Sequence, residues 1–320
     1  MMAAGSISIL KYSPELKNLW DEFVDRSKNG NFLFKRDYMD YHSDRFTDNS
    51  LLFYRKKSLY CILPANRTGS SINSHGGLTY GGLIMGDRCR AEGVLDVFSA
   101  MIDYLKDQGF SKIIYKPVPH IYHRIPSEED LYALFRHDAY LSVRTISSTI
   151  DFKKPLPINK GRKETIVKAL KYNIKVEVSD DFDAFWNILT QNLRDTHNAI
   201  PVHSLSEIKS LASLFPKNIK LFGAFKDNEM IGGIVVFISR NVIHTQYISA
   251  SPQGKLHGAV DAIISYLLEN PLRYSPDGIE YFDFGTSNEE KGRYLNENLI
   301  YHKEGFGARA ICYDTYEMNL

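Results

Sequence analysis

The sequence predicts a mixed α+β (mixed α/β) chain built as two similar halves, each a mixed sheet flanked by helices. Three observations carry this. Strand-like and helix-like segments do not alternate strictly, and hairpins come first in each half. A proline-bearing stretch divides the 320 residues nearly in the middle. Both halves then repeat one order: hairpin, strand, helix, strand, helix, strand.

In the first half, Pro14 to Ser27 reads as a helix with Leu16, Leu19, Trp20 and Phe23 on one face. Leu51 to Tyr54 and Leu59 to Leu63 are short apolar runs around Lys56-Lys57, the pattern of a hairpin. Leu78 to Met85 is expected to be a strand containing glycines. Ala91 to Gln108 carries Val94, Val97, Phe98, Met101, Ile102 and Leu105 at helical spacing, with Gly109 as a stop signal. Ile113 to Tyr115 reads as a strand, Glu128 to Arg136 as a helix and Tyr140 to Ile150 as a strand.

Asp151 to Gly161 holds Pro155 and Pro157 and no apolar period, so it reads as a linker. Beyond it, Glu164 to Tyr172 and Phe182 to Thr196 are helical, and Ser204 with Glu207 forms a capping box ahead of a third helix. Lys220 to Phe225 and Met230 to Ile238 flank Asp227-Asn228, a strong hairpin turn. Val242 to Ala250 is a strand, Leu256 to Leu268 a helix, and Ile279 to Phe284 a strand. Ser287 and Glu290 suggest a second capping box opening a helix to about His302, before a last strand over Ala308 to Tyr316.

Composition bounds the function. There are 39 Lys+Arg against 38 Asp+Glu, and a dedicated nucleic-acid binder needs a marked basic excess. The longest uninterrupted apolar stretch is Ile234 to Ile238, or Ile231 to Ile238 counting glycines, far short of the ~20 residues that span a bilayer. Met1 to Leu10 lacks a basic start and a long apolar core, so no secretion signal and a cytoplasmic location are expected. Cys61, Cys89 and Cys312 are far apart with no C-x-x-C, so they are expected to be buried free thiols, without disulfide or metal.

The order of elements, together with Ser251-Pro252-Gln253-Gly254-Lys255-Leu256-His257-Gly258-Ala259-Val260, resembles the GNAT superfamily of N-acyltransferases. In that family a strand ends in an R/Q-x-x-G-x-G/A loop and a helix follows. The amides there hold the pyrophosphate of acyl-CoA, because a helix start offers unpaired donors and about half a positive charge. Lys255 would stand for R/Q and Gly258 for the central glycine, while Val260 replaces the last Gly/Ala. Tyr301, four residues ahead of Gly305-Phe306, matches the tyrosine that often protonates the departing thiolate. The likeness extends to the FemAB-like branch, which joins two GNAT folds. It rests on Arg162 with the basic helix through Lys175, on Tyr281-Phe282-Asp283-Phe284-Gly285, and on Leu295-Asn296 followed by Lys303-Glu304-Gly305-Phe306-Gly307. Gly76-Gly77-Leu78-Thr79-Tyr80-Gly81-Gly82 adds to it in the first half.

The resemblance implies two tandem GNAT-like folds (the acyl-CoA N-acyltransferase fold). Residues 1–152 would be the acceptor side and 153–320 the acyl-donor side. It implies transfer of an acyl group from acetyl-CoA or another acyl-CoA to a small-molecule or peptide-like amine. An alternative is the aminoacyl-tRNA-dependent FemAB-like transfer to a cell-wall precursor, with tRNA as partner. A further alternative is a non-catalytic small-molecule or partner-binding module on the duplicated scaffold. Tyr301 would be the acid and His244 or Asp283 the base. Ser249, Ser251, Gly254, Lys255, Gly258 and Asn296 would hold the cofactor, and Tyr80, His197, His203 and Tyr247 would border the substrate. Strict alternation would put His244, Gln246 and Ile248 on one face of their strand and Tyr247 and Ser249 on the other. That strand is expected to splay from its neighbour. The basic run Lys153 to Lys175 would meet the 3′-phosphate of CoA, a tRNA acceptor or an anionic precursor, or form a solvated face.

Overall fold

The computed structural model describes residues 7–197, 199–269, 271 and 278–320, apart from the side chains of 196 and 197. Two compact units emerge. The first comprises residues up to Thr145, Glu290–Gly292 and Cys312–Leu320, and the second comprises Ile146–Glu289 and Arg293–Ile311.

The first unit contains β1 (Ile7–Lys11), α1 (Lys17–Arg26), α2 (Arg36–Met39), β2 (Thr47–Asp48), β3 (Leu51–Arg55), β4 (Ser58–Leu63), β5 (Asn66–Thr68), β6 (Ser71–Asn73), β7 (Ile84–Met85), α3 (Ala91–Asp107), β8 (Lys112–Tyr115) and α4 (Glu129–Arg136). One antiparallel sheet runs β1-β3-β4-β7. A second run is β2-β5-β6-β8, with β6 parallel to β8 and residues 316–319 antiparallel on the other side of β8. The α3 stripe reads true: Val94, Val97, Phe98, Met101 and Leu105 enter a core shared with Leu51, Phe53 and Ile113. Lys56 and Lys57 take φ of 49° and 66°, the double left-handed turn that suits a two-residue hairpin.

The expected strand over Leu78 to Met85 shrinks to β7. Its glycine-rich start is a loop instead, because its amides bond elsewhere. Gly81 N–H donates to the Lys116 carbonyl at 2.8 Å, and Leu83 N–H donates to the Tyr115 hydroxyl at 2.6 Å. Tyr115 in turn donates to Asp130 at 2.7 Å, whose carboxyl burial pushes up to about 7. At Gly82 (φ 73°) a Cβ would lie 2.9 Å from the Tyr115 ring. Strands β7 and β8 share no ladder, and this loop with Tyr115 fills the space beside them.

Strand β9 (Tyr140–Asp151) starts in the first unit and ends in the second. The second unit continues with α5 (Lys160–Lys171), β10 (Lys175–Ser179), α6 (Phe182–His197), α7 (Leu205–Leu214), β11 (Ile219–Lys226), β12 (Glu229–Ile238), β13 (Val242–Ala250), α8 (Pro252–His257), α9 (Ala259–Glu269), β14 (Tyr281–Thr286), β15 (Asn288–Glu289), β16 (Tyr294–Leu295), α10 (Glu297–Glu304) and the start of β17 (Arg309–Asn319). Its sheet order is β10-β11-β12-β13-β14-β9, with β13 parallel to β14 and the other neighbours antiparallel. Ile234, Val236, Ile238 and Ile243 pack with Ile263, Ile264 and Leu267 of α9 on one face.

Three local expectations change. The helix over Leu256 to Leu268 is two helices, broken where Gly258 takes φ 77°. Ser287 and Glu290 open no helix: Glu290 and Lys291 have φ of 50° and 53° and turn the β15–β16 hairpin. Helix α10 starts at Glu297, where Asn296 Oδ1 accepts from Leu299 N–H at 3.0 Å. Cys61 and Cys89 are buried, but Cys312 is exposed on β17.

Candidate functional site: the opening between β13 and β14

Strands β13 and β14 pair only at Val242↔Tyr281, Ile243↔Phe282 and His244↔Asp283. Beyond that point β13 runs on to Ala250 and β14 to Thr286 without pairing to each other. The expected splay is therefore present. The edge of β13 past His244 carries backbone groups with no ladder partner on that side, which an extended ligand can meet.

The two side chains at the vertex are bonded. His244 Nδ1 lies 2.8 Å from Asp283 Oδ2. Asp283 is 0% exposed, and its other oxygen accepts from the hydroxyls of Ser147 and, at 2.9 Å, Thr149. A carboxylate so held is buried and bonded on both oxygens, and it fixes the orientation of the imidazole. With Nδ1–H donating to Asp283, Nε2 of the partly exposed His244 makes no hydrogen bond among the described residues. Gly285 (φ 75°) lies along that ring edge, where a Cβ would be 3.3 Å from His244 Cε1.

Lys303 completes the surroundings. The sequence reading used it only as part of a motif. Its buried ammonium donates to the carbonyls of Gly285 and Thr286, each at 2.8 Å. Burial pulls its pKa down to about 8, partly opposed by the charge of Asp283.

A bulge corrects the face assignment along β13. The register with β12 steps from Val236↔Thr245 to Val235↔Tyr247, leaving Gln246 as the extra residue. Cross-strand partners share a face, so His244 (opposite Phe237), Tyr247 (opposite Val235) and Ser249 (opposite Gly233) lie together. Thr245 and Ile248 turn to the α9 side. The His244 face is walled by Trp186, whose ring meets Tyr247 at 5.1 Å, and by His203, whose Nδ1 lies 2.5 Å from the Tyr247 hydroxyl. His203 N–H also donates to that hydroxyl, and burial pushes the Tyr247 phenol up to about 12, so it stays protonated. Ser249 is buried there, and its hydroxyl has no hydrogen-bond partner among the described residues.

The turn after β13 is bonded and packed within the protein. Ser251 caps α8, its hydroxyl accepting from Gly254 N–H at 3.1 Å, while Lys255 N–H donates to the Ser251 carbonyl at 2.8 Å. Pro252 has no N–H. A Cβ at Gly254 would sit 2.0 Å from the Ile231 carbonyl oxygen, and one at Gly258 would sit 2.6 Å from Thr165 Cγ2. Both glycines are accounted for by close packing within the protein, and the Lys255 ammonium is bonded to Asn192. At the start of α9, Asp261 is paired with Arg162 at 2.9 Å and lies 3.2 Å from His302.

The remaining expected site residues are dispersed. Tyr301 is 71% exposed on α10, and nothing fixes its hydroxyl among the described residues. Asn296 caps α10 and also donates to Glu289. Tyr80 is buried in the first unit, its hydroxyl accepting from Asn31 at 2.9 Å and its ring packed on Tyr122. The side chain of His197 lies outside the described residues. No group of three His, Cys, Asp or Glu that could hold a metal occurs among the described residues.

Residues 159–294, the stretch that contains the opening, match the family model described as an acetyltransferase (GNAT) domain. No curated protein sequence matches the chain. Among solved structures it is similar to FemX (TM-score 0.69, 10% identity, 98% of this chain and 97% of that one). It is similar to the C-terminal domain assigned to a lysylphosphatidylglycerol synthetase from Agrobacterium fabrum (TM-score 0.58, 10% identity, 93% and 92%). It is also similar to a tandem GNAT protein from the clavulanic acid biosynthesis pathway, solved without AcCoA (TM-score 0.53, 10% identity, 98% of each). At such identities the structural likenesses speak to the fold. The matched stretch is thus an acetyltransferase (GNAT) domain, and the chain as a whole has the fold of these structures, a tandem GNAT protein among them.

Proposed function

We propose that this chain transfers an aminoacyl group from an ester carrier, of the aminoacyl-tRNA kind, to an amine acceptor. The supporting observation is the His244–Asp283 pair at the vertex of the β13–β14 opening. The donor carbonyl lies along the free edge of β13, and the acceptor amine approaches Nε2 of His244. The amine nitrogen attacks the carbonyl carbon while Nε2 takes its proton. The ester C–O bond then breaks, the imidazolium returns the proton to the leaving oxygen, and an amide remains. Asp283 holds the ring and offsets the imidazolium charge. Lys303 fixes the Gly285–Thr286 backbone beside it. Tyr301 is not assigned the acid role, because an exposed and unheld phenol is not positioned for it.

Acyl-CoA is the second donor class, favoured by the matched domain and by the AcCoA-associated relative. The turn at Ser251 to Gly258 argues for the ester, since the Gly254 and Lys255 amides are bonded within it and Val260 stands where a small residue would admit a diphosphate. The aromatic wall of Trp186 and Tyr247, with the Ser249 hydroxyl, suits a small side chain and its α-amino group.

The test offers the whole chain a mixture of radiolabelled aminoacyl-tRNAs and, in parallel, labelled acetyl-CoA, with a lysine-containing peptide as acceptor. Amide product from the aminoacyl donors, lost in His244→Ala, supports the reading. Product from acetyl-CoA alone overturns the donor, and product from neither overturns the transfer.

A further inference from the structure

Helix α5 carries a face that its own core does not use. Ile166 and Ala169 turn inward and pack with the second unit's apolar cluster. Val167 and Leu170, the latter 67% exposed, point the other way. An open groove of about 770 Å³ runs along this face, lined by Lys160, Lys163, Val167, Lys168, Lys171 and Tyr172. The acid there, Glu164, sits 3.9 Å from Lys160. Helix α8 abuts the same helix through His257, whose ring stacks on Tyr172 at 4.2 Å, and its neighbouring Leu256 is 62% exposed.

We propose that this lysine-ringed aliphatic face of α5 docks the protein on an anionic lipid bilayer. Lysines flanking exposed aliphatic side chains are the arrangement that uses both parts of such a surface. Ammonium groups meet phosphate headgroups, and Val167 and Leu170 enter the acyl boundary on long lysine stems. An RNA backbone would use the lysines alone. Base stacking would draw on the Tyr172 ring alone, one face of which His257 covers, and would leave Val167 and Leu170 in water. A face of this kind leaves an aliphatic pair in water unless something apolar covers it.

The test is sedimentation of the full chain with mixed phosphatidylglycerol–phosphatidylcholine vesicles and with pure phosphatidylcholine vesicles. The whole chain should bind the mixed vesicles, weakly or not at all the neutral ones, and less as salt rises. The double variant Lys163→Glu with Lys171→Glu should weaken binding by roughly 30-fold or more, because each lysine near an anionic surface is worth about a factor of five. Val167→Ser with Leu170→Ser, which keeps every charge, should weaken it by about tenfold or more. Thermal melting monitors the fold, and these side chains are exposed in the folded state. Equal binding to both vesicle types, or to neither, overturns the proposal. It is also overturned if the serine variant binds as well as the unaltered chain and a homopolymer RNA competes the vesicles away.

Discussion

His244 and Asp283 are both the last backbone register pair that joins β13 to β14 and a side-chain pair 2.8 Å apart. One location thus fixes where the sheet opens and which ring nitrogen faces the opening. The strand geometry supplies the space, and the buried carboxylate supplies the orientation.

Replacing His244 by Ala is expected to lower kcat by about 100- to 10,000-fold with little change in KM for either substrate. Asp283→Asn should lower kcat by about 100-fold or more by freeing the ring to choose the other tautomer. Steady-state kinetics on both variants, with circular dichroism to monitor folding, provide the check. By contrast Tyr301→Phe should change kcat by less than about threefold, because a solvated phenol supplies no positioned proton.

Gly285 combines φ of 75° with close approach to His244. Gly285→Ala should cost about 1–2 kcal/mol of stability for the left-handed backbone. It should also lower kcat, because the new methyl group, 3.3 Å from Cε1, pushes the ring aside. Urea unfolding and kinetics separate the two effects.

The alkaline limb of activity should fall near pH 8, where the Lys303 ammonium loses its proton and its hold on Gly285 and Thr286 weakens. Lys303→Arg keeps the charge and should move that limb upward. The stability sign is the reverse of a salt-bridged lysine. Its folded pKa lies below the unfolded value of 10.5, so the unfolded chain binds more protons between about 8 and 10.5. The contribution of this group to stability is therefore least favourable below about 8 and improves as pH rises through that window. A pH series of urea midpoints for the unaltered chain and for Lys303→Met measures it.

Gly258→Ala should destabilise the second unit by about 2 kcal/mol or more, from its left-handed φ and the clash with Thr165. Lys255→Ala should leave donor KM within about twofold, since its ammonium is already spent on Asn192. A tenfold rise in donor KM for Lys255→Ala would restore the diphosphate reading of the turn.

Much of the fold is legible because its signals are local. The α3 stripe, the Asp227-Asn228 turn and the Ser204–Glu207 capping box each depend on residues a few positions apart, and each is present. Single residues that break a period are not legible. Gln246 shifts β13 by one position and moves His244 onto the face of Tyr247, and Gly258 cuts a continuous apolar helix pattern in two. Hydrogen bonds across long sequence separations are also silent. Ser147 and Thr149 lie on β9, far along the chain from Asp283, and ordinary polar residues of a strand give no sign of the partner they will meet. The glycines of the expected donor loop are ambiguous in sequence because glycine serves two ends. It admits a ligand or a neighbouring backbone, and here Gly254 and Gly258 admit the protein itself.

The most direct measurement is the ring-nitrogen NMR spectrum of His244 at alkaline pH, with Asp283→Asn as reference. The account expects a protonated Nδ1 and a bare Nε2 in the unaltered chain, with that preference lost in the variant. A proton on Nε2, or a tautomer indifferent to Asp283, would contradict it.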